Sequence, residues 1–233
     1  MKIGILNTDI VQLEGAFEFG QYPKMFSKVL WAVEPNIKFR TYEVQFGNYP
    51  LEINECDAYL ITGSKASAYE DTPWIHSLKK FIQKLHENKK KLIGICFGHQ
   101  IVAEALGGSV RESLDGWHVG VDSIFLNKEA SQFGSVGDEY NLIFSHKDEV
   151  IKLPKNAKLI GGSTTCPNGM FVIENHILCT QGHIELDKKF AKIVYDFRKD
   201  QIGNSKHQNA CETLTMKTDE LELTASLLRF LKS

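Results

Sequence analysis

Residues 91–100 of the chain read KLIGICFGHQ, a sequence that predicts a strand, a tight turn and the start of a helix. Its first half, 91–95, is a short apolar run with the composition of a buried strand, and residues 98–106 read as a helix that ends at Gly107 and Gly108. A strand that turns directly into a helix is the repeating unit of parallel α/β sheets. At the turn, a cysteine lies between two glycines in the pentapeptide Gly94-Ile95-Cys96-Phe97-Gly98.

The rest of the N-terminal half has the same rhythm of strand and helix. Apolar runs predict strands at 2–8, 37–44 and 57–62, and apolar residues at helical spacing predict helices at 20–33 and 74–86. Alternation of this kind predicts an α/β fold with a mostly parallel open sheet flanked by helices.

The second half of the chain has a different pattern, in which short strand candidates are separated by turn residues. They lie at 119–126, 141–144, 158–161, 170–173 and 176–180. They predict a smaller, partly antiparallel extension of the sheet. An amphipathic helix is predicted over 187–198, a polar loop over 201–217 and a closing helix over 219–231. We expect one domain over residues 1–200, with residues 201–233 packed on it.

The composition is that of an ordinary globular protein and excludes several function classes. The 233 residues are 42% hydrophobic and 24% charged, with a net charge of −2 and no basic stripe, which predicts no nucleic-acid or membrane-surface partner. The chain lacks a signal-peptide pattern and any run near the roughly 18 apolar residues of a spanning helix. Five cysteines without a CxxC pair or zinc spacing predict no metal site and a reducing, cytoplasmic setting.

Cys96 is the candidate nucleophile. A tight turn from strand to helix forces the side chain of its middle residue out at the carboxyl edge of the sheet, and it needs small residues on either side. The positive end of the helix dipole favours a thiolate at that position, and the Phe97 N–H faces the same space, where it could bind an oxyanion. The alternative interpretation is that Cys96 is one more buried small apolar residue.

A thiolate nucleophile needs a histidine that a third group orients. His183 lies at the end of a predicted strand in Gln181-Gly182-His183-Ile184-Glu185, and residues two apart in an extended segment project to the same side. Glu185 can therefore hold the imidazole. Spacing alone would also fit an exposed His beside an exposed Glu. His146, at the end of another predicted strand, is interpreted as a pocket residue.

With these residues in hand, the chain resembles the class I glutamine amidotransferase family from about residue 1 to about residue 198. Residues 94–100 followed by Ala105-Leu106-Gly107-Gly108 resemble the nucleophile motif of that family, and residues 181–185 are similar to its histidine–glutamate motif. Two departures are Ile184, where the family usually has proline, and Gly182, where an aromatic residue is frequent. Gly182 and the Gly116-Trp117 pair look more like the stand-alone branch that contains γ-glutamyl peptidases.

The resemblance implies a role for each residue of the site. Cys96, His183 and Glu185 form the triad, and the backbones of Gly63 and Phe97 form the oxyanion hole. The substrate pocket takes its residues from the matching positions Gln100, Ser145, His146, Lys147 and Asp148. The implied reaction is hydrolysis of a γ-glutamyl amide, in glutamine or in a γ-glutamyl peptide, through a γ-glutamyl thioester, with no metal or organic cofactor.

Three alternatives to a γ-glutamyl peptide hydrolase stay open at this point. One is a glutaminase subunit that delivers ammonia to a separate synthetase, such as a GMP-synthase-like partner, because the chain has no Walker-type loop of its own. Another is a catalytically silent binding protein on the same fold. The last is a redox or chaperone-like relative, which usually pairs its cysteine with an upstream acid that residues 91–95 lack.

Overall fold

Eleven strands and seven α-helices alternate along residues 1–233 in the computed structural model. The strands are β1 (Lys2–Asn7), β2 (Lys38–Glu43), β3 (Ala58–Ile61), β4 (Lys91–Ile95), β5 (Ser109–Glu112), β6 (His118–Leu126), β7 (Glu139–His146), β8 (Asp148–Lys152), β9 (Ala157–Gly162), β10 (Met170–Ile173) and β11 (Ile177–Thr180). The helices are α1 (Tyr22–Val33), α2 (Pro73–Glu87), α3 (Phe97–Ala105), α4 (Lys188–Phe197), α5 (Lys199–Ile202), α6 (Asn204–Thr213) and α7 (Glu220–Lys232). Short 3-10 helices lie at Val44–Phe46, Ile53–Glu55 and Lys128–Ala130.

Nine of the strands form one sheet in the order β2-β1-β3-β4-β11-β10-β9-β6-β7. The first five strands in this order, β2, β1, β3, β4 and β11, run parallel to one another. The other four, β10, β9, β6 and β7, join them through antiparallel pairs. The α/β fold with a parallel part and a smaller antiparallel extension is therefore confirmed. Its parallel order brings the carboxyl ends of β3, β4 and β11 side by side.

Helices cover both faces of the sheet because successive strand residues point to opposite sides. Ile93 of β4 packs with Phe26 of α1 and Leu227 of α7 on one face. Its neighbour Leu92 packs on the other face, in the cluster that contains Leu78 of α2. The strands are buried on both faces, which explains why their sequences are continuous apolar runs without alternation.

The predicted loop over 201–217 is wrong, since most of this segment is helical. It contains the end of α5 and all of α6, and it packs against β6. Only Ala210 within α6 is buried, so the apolar periodicity that predicts a helix is almost absent. Tertiary contacts stabilise the helix instead: the Thr213 hydroxyl accepts a hydrogen bond from the Val121 N–H at 2.9 Å.

Two short strands, β5 and β8, pair antiparallel in a separate sheet that the sequence did not predict. Both carry exposed polar residues, and neither shows a clear apolar pattern.

None of the seven helices combines the length and the apolar character needed to cross a membrane.

Candidate active site

Cys96 lies at the turn from β4 to α3 in an unusual backbone conformation. Its φ is 54° and its ψ is −104°, a region that residues other than glycine rarely occupy. The Cys96 N–H donates to the Thr180 carbonyl at 2.9 Å, which ties the turn to the end of β11. The turn is also close-packed: a Cβ on Gly94 would lie 2.5 Å from the Gly98 carbonyl oxygen, and one on Gly98 would lie 2.5 Å from that of Ile61.

His183 and Glu185 follow β11, which is the parallel neighbour of β4. The Nδ1 of His183 lies 2.7 Å from the Oε1 of Glu185, and the Glu185 side chain is fully buried. Because a carboxylate can only accept, Nδ1 carries the proton of this hydrogen bond. The His183 N–H donates to the Ile143 carbonyl at 2.9 Å, which fixes the backbone beside β7.

Burial and the neighbouring charges have opposite effects on the pKa of His183. Burial lowers the pKa of this imidazole, but the negative charges of Glu185 and Cys96 outweigh burial and raise the pKa to about 10. The Nε2 atom is buried, and His183 lines a small pocket together with Cys96. The arrangement therefore favours a positive imidazole next to the sulfur.

Gly63 follows β3 and lies between the two side chains. A Cβ at this position would lie 3.3 Å from His183 Cε1 and 3.9 Å from Cys96 Cβ. The Gly63 N–H makes no hydrogen bond within the protein. The Thr8 hydroxyl oxygen lies 2.8 Å from the Gly63 carbonyl oxygen and 3.2 Å from the Thr62 carbonyl oxygen, which holds this loop in place.

Phe97 is the first residue of α3, so its N–H has no partner within the helix. The chain thus brings two backbone donors, from the loop after β3 and from the start of α3, to the region around the Cys96 sulfur.

A cleft of about 300 Å³ opens from Cys96, and all five residues predicted to bind substrate line it. Gln100 is buried and donates from Nε2 to the Asp148 carbonyl at 2.8 Å and to Gln181 Oε1 at 3.1 Å. The Asp148 carboxylate accepts from the Tyr69 hydroxyl at 3.2 Å and has no cationic partner. Lys147 pairs with Glu112 at 3.1 Å.

His146 lies in the wall of the cleft with both ring nitrogens turned to the protein. Its Nδ1 donates to the Asp148 carbonyl at 2.8 Å, and its Nε2 is buried. Burial lowers the pKa of His146 well below its ordinary value, so the ring is neutral.

Sequence reasoning did not single out Arg198, which lines both the cleft and the pocket around Cys96. One guanidinium nitrogen donates to the Ser145 hydroxyl at 3.1 Å, and the guanidinium carbon lies 4.9 Å from the centre of the Trp117 ring. No carboxylate pairs with it. Arg198 ends an amphipathic helix that looked purely structural, so no local signal in the sequence could have identified it.

The two departures from the family pattern have simple structural explanations. A Cβ on Gly182 would lie 2.6 Å from a methyl carbon of Leu142, so a larger residue there needs a different packing of β7. Ile184 is buried, and its N–H donates no backbone hydrogen bond. The position thus has no use for the N–H that proline lacks.

Comparisons with known proteins agree with this fold. The profile of the family described as glutamine amidotransferase class-I matches residues 20–199. The γ-glutamyl peptidase 4 of Arabidopsis thaliana is 33% identical over 213 residues, which cover 88% of this chain and 83% of that protein. The glutamine-hydrolyzing GMP synthase of Methanocaldococcus jannaschii has a subunit that is 34% identical over 94 residues, or 40% of this chain and 50% of that protein.

A solved structure of a glutamine amidotransferase from Thermotoga maritima superposes with a TM-score of 0.76 and covers 99% of both chains. The two sequences are 23% identical, and at this level the likeness supports the fold alone.

Proposed function

Because the chain belongs to the class I glutamine amidotransferase family, we propose that it is an enzyme that hydrolyses a γ-glutamyl amide bond. One observation carries the proposal. The carboxyl ends of three neighbouring parallel strands bring the Cys96 sulfur, the His183–Glu185 pair and the Gly63 N–H to one buried spot at the end of a cleft. Open α/β sheets bind their ligands at this edge.

In the proposed reaction the Cys96 thiolate attacks the γ-carbonyl carbon of the substrate. A carbon–sulfur bond forms, and the carbonyl electrons move to oxygen, where the N–H groups of Gly63 and Phe97 stabilise the charge. His183 protonates the leaving nitrogen as the carbon–nitrogen bond breaks, which leaves a γ-glutamyl thioester. His183 then takes a proton from water, the water oxygen attacks the thioester, and glutamate and the thiolate are released.

Glu185 acts through His183. It keeps the proton of the imidazole on Nδ1 when the ring is neutral, and its charge stabilises the imidazolium that pairs with the thiolate. The Glu185 side chain is fully buried, so its charge is poorly screened by water.

The unpaired charges of the cleft indicate the substrate class. Asp148 is a carboxylate without a cationic partner, and Arg198 is a guanidinium without a carboxylate partner. The γ-glutamyl group carries an α-ammonium and an α-carboxylate at the end away from the scissile bond. We assign the ammonium to Asp148 and the carboxylate to Arg198, which the Trp117 ring and the Ser145 hydroxyl hold in place.

The relative named a γ-glutamyl peptidase favours a γ-glutamyl peptide over free glutamine as the substrate. The test is to incubate the purified protein with glutamine, with glutathione and with other short γ-glutamyl peptides, and to measure released glutamate, ammonia and amine. We expect turnover of the peptides and its complete loss in Cys96→Ala. The Cys179→Ala variant is the matched control, because Cys179 is buried in β11 away from the cleft and should retain activity.

A second variant tests the substrate class. Arg198→Gln keeps a donor to Ser145 but loses the charge, so KM for γ-glutamyl peptides should rise by roughly tenfold to a hundredfold with a smaller change in kcat. An unchanged KM would contradict the role of Arg198. No turnover of any γ-glutamyl compound, with Cys96 also inert to a thiol alkylator, would leave a silent binding protein.

A glutaminase subunit that supplies ammonia to a separate synthetase is the second candidate. It is favoured by the partial match to part of a protein named GMP synthase. Hydrolysis of glutamine alone, together with co-purification of a synthetase that accelerates it, would support this candidate and contradict the peptidase proposal.

A further inference from the structure

Three metal-ligating side chains meet in a buried cluster beside the cleft, outside the proposed catalytic group. His118 opens β6 and His146 ends β7, and the two residues lie directly opposite each other in the antiparallel pair. Cys166 comes from the turn between β9 and β10. One ligand atom from each of the three lies within 4.8 Å of the other two.

The hydrogen bonds of the two histidines fix where their protons are. His146 Nδ1 lies 2.8 Å from the Asp148 carbonyl oxygen, and His118 Nε2 lies 3.0 Å from a carboxylate oxygen of Asp122. Both of these oxygens can only accept, so both of these nitrogens carry protons. Each ring therefore has one further nitrogen that these hydrogen bonds do not use, Nδ1 of His118 and Nε2 of His146.

These two nitrogens have no partner in the protein. The Nδ1 of His118 and the Nε2 of His146 are both fully buried and make no hydrogen bond. His146 is 6% exposed, so water has little access to it. The nearby Cys166 thiol has a single proton and can satisfy one of the two nitrogens at most. A buried polar atom without a partner is destabilising, and a bound cation would remove that cost.

We propose that His118, His146 and Cys166 bind a divalent transition-metal ion, and that Zn²⁺ is the best match. Two imidazole nitrogens and one thiolate are a ligand set that zinc prefers, and one position stays open for water. Binding releases the proton of Cys166 as the zinc–sulfur bond forms. The Cys166 thiolate then faces the ion directly, and the Asp122 carboxylate lies behind the His118 ring.

The hydrogen-bond acceptors of the two histidines are of the kind found around metal-bound histidines. In such sites the second ring N–H of each histidine donates to a carboxylate or a backbone carbonyl, and here Asp122 and the Asp148 carbonyl fill these roles. The Thr165 hydroxyl donates to the same Asp122 oxygen at 2.6 Å, which orients the carboxylate. Tetrahedral zinc would place its ligand atoms roughly 3.3–3.6 Å apart, so closing the site needs side-chain movements on the order of 1 Å.

An entry path also exists. A cavity of about 220 Å³ lies on the outer side of the cluster and is lined by His118, Trp117 and Thr165 among others. On its inner side, His146 forms part of the wall of the cleft. A metal ion would therefore fix the wall that holds Asp148 and Trp117, and it would do so without contacting Cys96.

A second group, Asp196, His207 and Cys211, has similar ligand atoms but lies near the surface. His207 Nε2 is already bonded to Asp196 at 2.7 Å, so this group presents no buried orphan nitrogen. Cys211 of this group therefore serves as the matched control.

The experiment uses the full-length protein with Cys96→Ala, which removes the other reactive thiol. After chelator treatment the protein is titrated with Co²⁺ and then with Zn²⁺. We expect one equivalent of Co²⁺ to give a near-ultraviolet thiolate-to-cobalt band with visible bands of tetrahedral intensity, and Zn²⁺ to displace it. Zn²⁺ should also raise the melting temperature, because it binds the folded state alone.

Cys166→Ser should remove the near-ultraviolet band, and both Cys166→Ser and His118→Asn should weaken Zn²⁺ binding by about a hundredfold. Cys211→Ser should change neither. If Cys166→Ser fails to fold, His118→Asn carries the test, since that side chain is near the outer cavity. The proposal is overturned if no stoichiometric binding occurs, if the band survives in Cys166→Ser, if His118→Asn leaves Zn²⁺ binding unchanged, or if Cys211→Ser abolishes the band.

Discussion

The backbone of Cys96 stores free energy at the point where chemistry is proposed. A residue with a side chain in its region of φ and ψ costs about 1–3 kcal/mol relative to ordinary conformations. The cost is sustained by the neighbouring structure: the Cys96 N–H bonds to Thr180, and the Gln100 N–H bonds to the Cys96 carbonyl. The strained conformation directs the sulfur toward His183. The placement of the side chain therefore comes with a cost in backbone free energy.

We predict that Cys96→Gly is more stable than Cys96→Ala. Both variants lack the sulfur and should be inactive, but glycine adopts a positive φ without steric cost. The gain should be about 1 kcal/mol after the greater entropy of glycine in the unfolded chain is subtracted. Urea unfolding of the two variants measures the difference, and equal stabilities would show that the conformation of residue 96 is unstrained.

The raised pKa of His183 predicts a pH dependence of stability. The folded value of about 10 lies above the ordinary value of 6.5, so the protonated form stabilises the folded state. This contribution is complete below pH 6.5 and is lost as the pH rises through about 10. The difference in free energy of unfolding between the wild type and His183→Gln should therefore be larger at about pH 6 than at about pH 9.

Denaturant unfolding of both proteins at several pH values checks this prediction. His76→Gln is the control, because His76 pairs with Asp71 at the surface and its substitution should have little effect at any pH. A wild-type advantage that grows with pH would contradict the assigned charge of His183.

At the scale of elements, three strand ends build the site. Strands β3, β4 and β11 are neighbours in the sheet, and each is followed by a residue of the site: Gly63 two residues after β3, Cys96 directly after β4 and His183 three residues after β11. Because the strands are parallel, all three ends lie at one edge. The turn between β4 and α3 then has to pass close to β3, which sets the size limit on Gly98.

We predict that Gly98→Ala destabilises the protein despite the better helix propensity of alanine. Propensity alone would favour alanine by about 1 kcal/mol. The new methyl group would lie 2.5 Å from the backbone oxygen of Ile61, which cannot move without shifting β3 and the Gly63 loop. We expect a net loss of about 2 kcal/mol together with reduced turnover, measured by urea unfolding and peptide hydrolysis. A variant as stable as the wild type would show that the turn can relax.

The sequence predicted those parts of the molecule whose local pattern determines their structure. The strand before Cys96 and the helix after it are apolar and periodic, and the carboxylate two residues after His183 lies within reach of its ring, as expected. Helix α6 was missed because it is polar and is stabilised by contacts with β6 that no local pattern reveals.

The cluster of His118, His146 and Cys166 was missed for a related reason. Its members are spread over 49 positions of the chain, and they meet only because β6 pairs with β7 and the turn after β9 folds over them. Spacing rules for zinc sites apply to ligands on one local motif, so they could not detect it.

At the scale of the whole molecule, the C-terminal residues complete the structure around the site. Helix α7 packs on α1, and the Phe230 carbonyl near the end of α7 accepts a hydrogen bond from Lys91 at the start of β4 at 2.8 Å. Helix α5 follows Arg198 directly, and the next helix, α6, packs on β6 beside the cleft. We therefore expect the position of Arg198 to depend on how tightly α6 packs on β6.

Gly120 of β6 controls this packing. Its φ is +107°, and a Cβ there would lie 2.6 Å from the Thr213 hydroxyl oxygen and 3.1 Å from the Cα of Ala210. The Gly120 N–H also donates to the Tyr195 hydroxyl at 2.9 Å, which connects β6 with α4. A side chain at this position therefore requires Thr213 and Ala210 of α6 to shift.

We predict that Gly120→Ala loosens α6 from β6, whereas Gly137→Ala does not. Gly137 has a similar φ of +89°, but a Cβ there would meet no atom within 4 Å, so it reports the backbone strain alone. Gly120→Ala should therefore cost about 1–3 kcal/mol more in the free energy of unfolding, because it adds the clash with α6. It should also raise KM for γ-glutamyl peptides, since Arg198 loses its support, and make residues 203–213 the first site of limited proteolysis. If the two variants lose the same stability and are cleaved alike, the clash is relieved locally, and α6 does not determine the position of Arg198.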